Sequence, residues 1–275
     1  AFGSTIVIMK LLSDKGDLDT LHGKISTGFL IVQDLIAIFV LIILSSIKDS
    51  SSIAKLISLA LVKGVILLLI LYYLGTKVFP KLEFFIAKSQ ELLFIFAIGW
   101  ALALGLIFNY FGFSIEIGAL LAGITLAMTP FSYEISAKIK PVRDFFIILF
   151  FVFLGTQLDI SIASQLIVPA IIFSIFIFII DPLAVIVIMS LLNYTKKNSF
   201  LVGLTSAQIS EFSLIFIALA VKLGFISKEI LSLVTLIGLI TIAGSTYMIM
   251  YAENIYPIFA KFLGIFEKKG RKIDD

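Results

Sequence analysis

The 275-residue sequence contains no cysteine and a single histidine, His22. Without cysteine there can be no disulfide framework, no thiolate nucleophile and no zinc–thiolate site. One histidine in a charged loop excludes a histidine-rich metal centre. Charge is scarce as well: 14% of the residues are Asp, Glu, Lys or Arg, where a soluble chain carries about a quarter. Apolar residues take their place, with 60% hydrophobic side chains and a mean hydropathy of +1.17. This much apolar surface must meet lipid as well as itself, which implies an all-α polytopic membrane protein, because lipid offers no partner for unpaired backbone groups. The chain also lacks an initiator Met and a signal peptide and opens on AFGSTIVIMKLL, the second half of an apolar segment. The expectation is a membrane-domain fragment with its N-terminal spans missing and a downstream domain removed.

The stretch that organises the rest is 25–47, ISTGFLIVQDLIAIFVLIILSSI. It is roughly 34 Å long at about 1.5 Å per residue, enough to cross a hydrocarbon core about 30 Å thick. Its one polar pair, Gln33–Asp34, falls near the midplane. A carboxylate there costs at least about 2.5–3.5 kcal/mol, so it marks a functional site by default. The bland alternative is a structural carboxyl bonded to a neighbouring helix.

Around this run the chain parses into a remnant (1–12), a polar loop (13–24), and further spans at 53–79, 91–111, 114–130, 145–160, 165–192, 200–222 and 229–250, making eight full spans in all. Residues 131–144 read as an interfacial connector. GALLAGITLA (118–127) is a small-residue segment of the type that packs helix backbones closely. The membrane domain is expected over 1–260, with a basic cytoplasmic tail over 261–275. Charge placement tests the parse. On one side the loops hold Lys10, Lys15, Lys24, Lys77, Lys81, Lys88, Lys138, Lys140, Arg143, Lys196, Lys197, Lys261, Lys268, Lys269, Arg271 and Lys272; on the other, only Lys48, Lys55, Lys222 and Lys228. The positive-inside rule then puts loop 13–24 and the C-terminal tail in the cytoplasm. The net charge of +3 is therefore a topology signal, and no nucleic-acid partner is implied. The Lys268–Lys272 cluster reads the same way in preference to a lipid-headgroup contact.

Four polar clusters lie at membrane depth: Ser4–Thr5, Gln33–Asp34, Asp181–Pro182, and TSAQISE (205–211), with Ser206, Gln208, Ser210 and Glu211. Pro182 removes a backbone donor and is expected to open its helix, releasing carbonyls near residue 178. TSAQISE supplies hydroxyl and amide groups suited to an unwound segment, and Ser4–Thr5 looks like half of an equivalent break. Facing broken helices at mid-membrane mark secondary transporters with inverted repeats. Each cluster also has a structural reading. Asp181 could bond a carbonyl released near Pro182, and Glu211 could hold the broken helix through backbone N–H groups. Lys63 reads as a snorkelling lysine and Glu116 as interfacial.

GFLIVQDLIAI (28–38), with FGSTI (2–6) before it, resembles the monovalent cation:proton antiporter-2 family, which includes the Kef-type systems. So do GALLAGITLA, PVRDFF (141–146) leading into FFVFLGTQLD (150–159), and QISEFSLI (208–215). The likeness runs in order from residue 2 to about 260. It implies the sodium/proton-antiporter fold: a core with two crossed, broken helices and inverted repeats, and a separate panel-like dimerisation domain. Asp34 matches the family's cation- and proton-binding carboxylate and Gln33 its Kef-type neighbour. Ser4 and Thr5 fall in the first broken helix, and 206–211 in the second. Many relatives carry a basic residue near 181 that pairs with the essential Asp; here it is Asp181, which puts such a pairing in doubt. The resemblance also implies a homodimer and, in the full-length chain, a cytoplasmic nucleotide-binding regulatory domain.

The expected activity is exchange of Na⁺ or K⁺ for H⁺ at Asp34, with Gln33, Ser4, Thr5 and Asp181 contributing to the ion- and proton-binding site and Ser206, Gln208, Ser210 and Glu211 supporting the broken helix. Hard oxygen ligands suit these ions. Na⁺ or K⁺ and H⁺ are cargo, and no bound cofactor is expected. With Gln33 uncharged one proton moves per cation, or two if Asp181 also titrates. The protein is not expected to be an enzyme: an intramembrane aspartyl protease needs Gly-x-Gly-Asp or Tyr-Asp settings, whereas these are Val-Gln-Asp and Ile-Asp-Pro. A ligand-gated K⁺ efflux channel-like system is the alternative. A sodium-coupled organic-anion symporter is a third, but no basic residue sits near the broken helices. The setting is an integral membrane protein of the plasma membrane, in contact with lipid.

Overall fold

A computed structural model describes residues 3–46, 53–79, 86, 89–111, 113, 115–156 and 160–264. They form helices joined by short turns. In chain order these are α1 (Thr5–Lys15), α2 (Leu21–Ser46), α3 (Ile53–Tyr73, extended by a π-type turn Leu74–Val78), α4 (Gln90–Tyr110), α5 (Ile115–Ala127), α6 (Ser132–Thr156), α7 (Ile160–Leu191), α8 (Lys196–Leu204), α9 (Glu211–Lys222), α10 (Lys228–Met250) and α11 (Ala252–Leu263). Among the described residues, four helical stretches are long and apolar enough to cross a membrane: Leu21–Leu41, Gln90–Tyr110, Ser164–Leu191 and Lys228–Met250. The protein is an all-helical integral membrane protein.

The chain divides into two compact units, 1–37 with 153–275, and 38–152. In the second unit α4 packs along α5. A Cβ on Gly118 would overlap the Leu104 carbonyl group, so only glycine allows this approach, and GALLAGITLA acts as the close-packing segment its composition suggested. Phe79, Phe96 and Trp100 cluster in this unit, and the Trp100 indole donates to Thr125 Oγ1 at 2.9 Å. Lys63 reaches the Phe111 carbonyl at 3.5 Å, beyond the end of α4.

Two expectations need correction. Residues 132–144 are not a connector: they begin α6, which runs unbroken to Thr156 through Pro141. The charged residues there are good helix formers, and Arg143 is paired with Asp144 at 2.9 Å. Nor does Asp181–Pro182 interrupt its span. Helix α7 is continuous over 32 residues through both Pro169 and Pro182. A proline removes one donor and crowds one carbonyl, but in an apolar surround the other backbone groups have nowhere else to bond, so the helix persists.

The first unit holds α1, the start of α2, and α7 through α11. There α7 packs on both α8 and α10, α9 and α1 also lie against α10, and α11 lies against α8. Gly203 of α8 meets α7 just at Pro182: a Cβ there would sit 3.0 Å from the Pro182 carbonyl oxygen and 2.9 Å from Ile186 Cγ1. At the far end of α1, Gly16 closes the helix in the left-handed region, its N–H bonding the Leu12 and Ser13 carbonyls. Thr20 Oγ1 then accepts the Gly23 N–H at 3.2 Å and starts α2. The polar loop is thus shorter than the sequence suggests. The basic residues Lys268–Lys272, the 157–159 part of FFVFLGTQLD, and Phe2 lie outside the described residues.

Candidate functional site

Helix α2 has one buried face. Leu30, Asp34, Ala37 and Leu41 are 0%, 7%, 6% and 5% exposed, at the three-to-four spacing of a helix stripe, while Ile31, Val32, Leu35 and Ile36 are exposed. Asp34 therefore points into the protein, in the position of a core leucine.

Its neighbour there is the N-terminus of α1. Thr5 Oγ1 donates to Asp34 Oδ2 at 2.8 Å, and the Gly3 N–H donates to Gln33 Oε1 at 3.1 Å. Adjacent residues of α2 thus hold the two residues flanking Ser4. Ser4 itself caps α1, its Oγ accepting the Val7 N–H at 3.3 Å. Gly3 is where α1 meets the break between α8 and α9: a Cβ on it would lie 2.9 Å from both the Thr205 carbonyl oxygen and Leu30 Cδ2.

Residues 205–210 leave the helix, as TSAQISE suggested, and every hydroxyl in them works to satisfy the ends. Thr205 Oγ1 donates to the Val202 carbonyl and Ser206 Oγ to that of Gly203, both at 2.7 Å, occupying carbonyls at the end of α8. Ser210 Oγ accepts the Phe212 N–H at 3.1 Å and caps α9. Gln208 is fully buried and bonds at both ends of its amide: Nε2 donates to the Ser4 carbonyl at 3.4 Å, and Oε1 accepts from Ser245 Oγ at 2.7 Å. Glu211, 7% exposed, opens α9 and accepts the Ile6 N–H on Oε1 at 3.5 Å.

The structure thus brings together Ser4, Thr5, Gln33, Asp34, Gln208 and Glu211. Ser206 and Ser210 stay with their own helix ends. Asp181 is half-buried on α7, outside the hydrogen bonds just described. Three contributors were not anticipated. Thr241 Oγ1 of α10 accepts the Ile209 N–H at 3.2 Å; Ser245 holds Gln208; and Ser26 Oγ of α2 lies 3.4 Å from Thr205 Oγ1, which can accept its proton while donating its own to Val202. The spacing of Thr241 and Ser245, one turn apart on a mostly apolar helix, was the available signal.

Chemically, the centre is a buried carboxylate with one oxygen tied to the first turn of α1. The other, Asp34 Oδ1, has no hydrogen-bond partner among the described residues, and the same is true of Glu211 Oε2. Such oxygens are hard ligands suited to alkali or alkaline-earth ions, or they can take protons. No group of three or more His, Cys, Asp or Glu able to hold a metal occurs among the described residues.

Residues 1–251 match the family described as sodium/hydrogen exchanger, transmembrane. Among curated relatives, the chain is 25% identical over 246 residues to K(+) efflux antiporter 4 of Arabidopsis thaliana, covering 84% of this chain and 40% of that one. It is 27% identical over 281 residues to K(+) efflux antiporter 3, chloroplastic, covering 100% of this chain and 36% of that protein. With K(+) efflux antiporter 1, chloroplastic, identity is 29% over 254 residues, covering 88% and 21%. The chain spans two-fifths or less of the length of these three relatives. The buried Asp34 centre and a match over nearly the whole sequence lead to one conclusion: this chain belongs to the sodium/hydrogen exchanger transmembrane family of cation:proton antiporters.

Proposed function

We propose that the chain is the core of a secondary transporter that exchanges a monovalent cation, Na⁺ or K⁺, for protons at Asp34. The observation that carries this reading is a carboxylate buried on α2, held by Thr5 at the start of α1, with Oδ1 left without a hydrogen-bond partner among the described residues. An oxygen so placed holds either a proton or a dehydrated cation. If the site opens to one side of the membrane at a time, that exclusion is sufficient for exchange. With Gln33 uncharged and its amide oxygen engaged by Gly3, Asp34 itself moves one proton per cation; Asp181, if it titrates, makes two. The cation to test first is K⁺, since relatives are named as K(+) efflux antiporters.

On this reading the entry to α1 and the α8–205–210–α9 segment are the two broken helices of inverted repeats. The bonds from Gln208 to Ser4 and from Ile6 to Glu211 support the pairing. The full-length protein is then a plasma-membrane homodimer surrounded by lipid, with a cytoplasmic C-terminus leading into a nucleotide-binding regulatory domain.

The test is flux in proteoliposomes containing the full-length protein, with Na⁺ and K⁺ compared. Wild type should move protons against either ion with saturable, stoichiometric kinetics, and Asp34→Asn should abolish this. Undiminished exchange in Asp34→Asn rejects the assignment. Cation flux without coupled proton movement would identify a channel-like efflux path.

A further inference from the structure

Glu211 is a buried acid that exchange at Asp34 does not use. Its placement mirrors that of Asp34. Each carboxylate gives one oxygen to the first turn of α1: Asp34 Oδ2 accepts from Thr5 Oγ1, and Glu211 Oε1 accepts from the Ile6 N–H. Each keeps its second oxygen, Oδ1 or Oε2, buried and without a partner among the described residues. Both residues are 7% exposed, and the groups they hold, Thr5 and Ile6, are adjacent in the chain. One comes from α2 and the other from α9, so the start of α1 is bonded by both.

We propose that Glu211 is a second ligand of the transported cation, which binds at the N-terminus of α1 between Glu211 Oε2 and Asp34 Oδ1. This rests on Asp34 carrying the cation. Two unpaired carboxylate oxygens in a buried site are costly, and the partial positive charge at the start of α1 offsets only part of that cost. A dehydrated alkali ion needs several hard oxygen ligands. Asp34 supplies one from α2, and Glu211 supplies another from α9. The ion would then be bound jointly by α2 and α9, so its arrival and departure would act directly on the junction of α1 with the 205–210 break.

A purely structural Glu211, present only to cap α1, makes the opposite forecast. Glutamine retains an oxygen for the Ile6 N–H, so Glu211→Gln keeps the cap and loses only the charged Oε2. In the full-length protein, Glu211→Gln should weaken binding of radioactive sodium or rubidium by about tenfold or more, a difference of about 1.4 kcal/mol. Its melting temperature in cation-free buffer should stay at the wild-type value. Binding within twofold of wild type overturns the proposal. Glu211→Asp retains the charge on a shorter stem and should change the preference between sodium and the larger rubidium.

Should Glu211→Gln not fold, the wild-type protein decides by carbodiimide labelling read by mass spectrometry. Adding NaCl or KCl should protect Asp34 and Glu211 over the same concentration range. Protection of Asp34 alone overturns the Glu211 assignment and leaves the exchange reading standing. An Asp34 that the cations do not protect overturns the exchange reading itself.

Discussion

At Asp181–Pro182 the chain carries the residue least suited to a helix interior, and α7 runs through it without interruption; at 205–210 it carries neither proline nor glycine, and the helix stops. The difference lies in what the backbone can bond to instead. The Asp181–Pro182 pair is set in apolar sequence, IFIFII before it and LAVIVI after. One lost hydrogen bond there does not make it favourable to release others into a surround that is mostly apolar. The 205–210 segment brings its own substitutes. The Thr205, Ser206 and Ala207 N–H groups bond carbonyls three residues back, at 3.1, 3.0 and 3.2 Å, which tightens the end of α8. The Ile209 N–H is taken by Thr241, and Gln208 reaches to Ser4 and Ser245. Within a membrane, a helix breaks where its polar groups can be re-satisfied, and proline alone does not provide that.

Four substitutions can break or sharpen this contrast. Gln208→Ala should do the most damage, because it removes two buried hydrogen bonds, to the Ser4 carbonyl and from the Ser245 hydroxyl, and leaves a cavity where a fully buried side chain stood. The expected loss is about 2–3 kcal/mol of stability, read by unfolding in detergent; a loss under about 0.5 kcal/mol would mean the break does not depend on side-chain partners. Gly203→Val comes next. It forces atoms against the Pro182 carbonyl and Ile186 and should cost about 1–3 kcal/mol by overpacking; a neutral result would show that α8 slides freely along α7. Ser245→Ala removes one bond to Gln208 and should cost about 1 kcal/mol, with cation binding weakened in parallel because Gln208 positions Ser4. Pro182→Ala should have the smallest effect. It restores a helix donor at a site already helical, so stability should stay equal or rise by up to about 1 kcal/mol, since the surroundings already accommodate the ring. If Pro182→Ala instead destabilised the protein more than Gln208→Ala, the contrast would be reversed.

Much of the site was legible in the residues. Asp34 stood out because a carboxylate near the midplane is costly, and TSAQISE because hydroxyls and an amide crowd a stretch that is otherwise apolar. The misreadings share a cause. Pro182 was expected to open its helix because a local rule was applied without knowing what surrounds it. The 131–144 segment looked like a connector because charge and Pro141 suggested one, although Lys, Arg and Glu are ordinary helix residues. Thr241, Ser245 and Ser26 escaped notice because a lone hydroxyl in an apolar span bonds its own helix as readily as another. Thr241 donates back to Gly238 while accepting from Ile209, and the one Ser245 proton lies within reach of both the Ile242 carbonyl and, closer, Gln208.

By itself, the sequence determined that the chain enters a membrane, where several of its long helices lie, that Asp34 is the costly residue, and that 205–211 is unlike any other span. Those properties follow from composition and spacing, which act locally. Only the tertiary structure decided that Asp34 and Glu211 both bond the first turn of α1, that Gln208 joins Ser4 to Ser245, and that Asp181 lies outside that set of bonds. Each of these contacts joins residues far apart in the chain, and whether a buried polar group finds a partner depends on which helices pack against it.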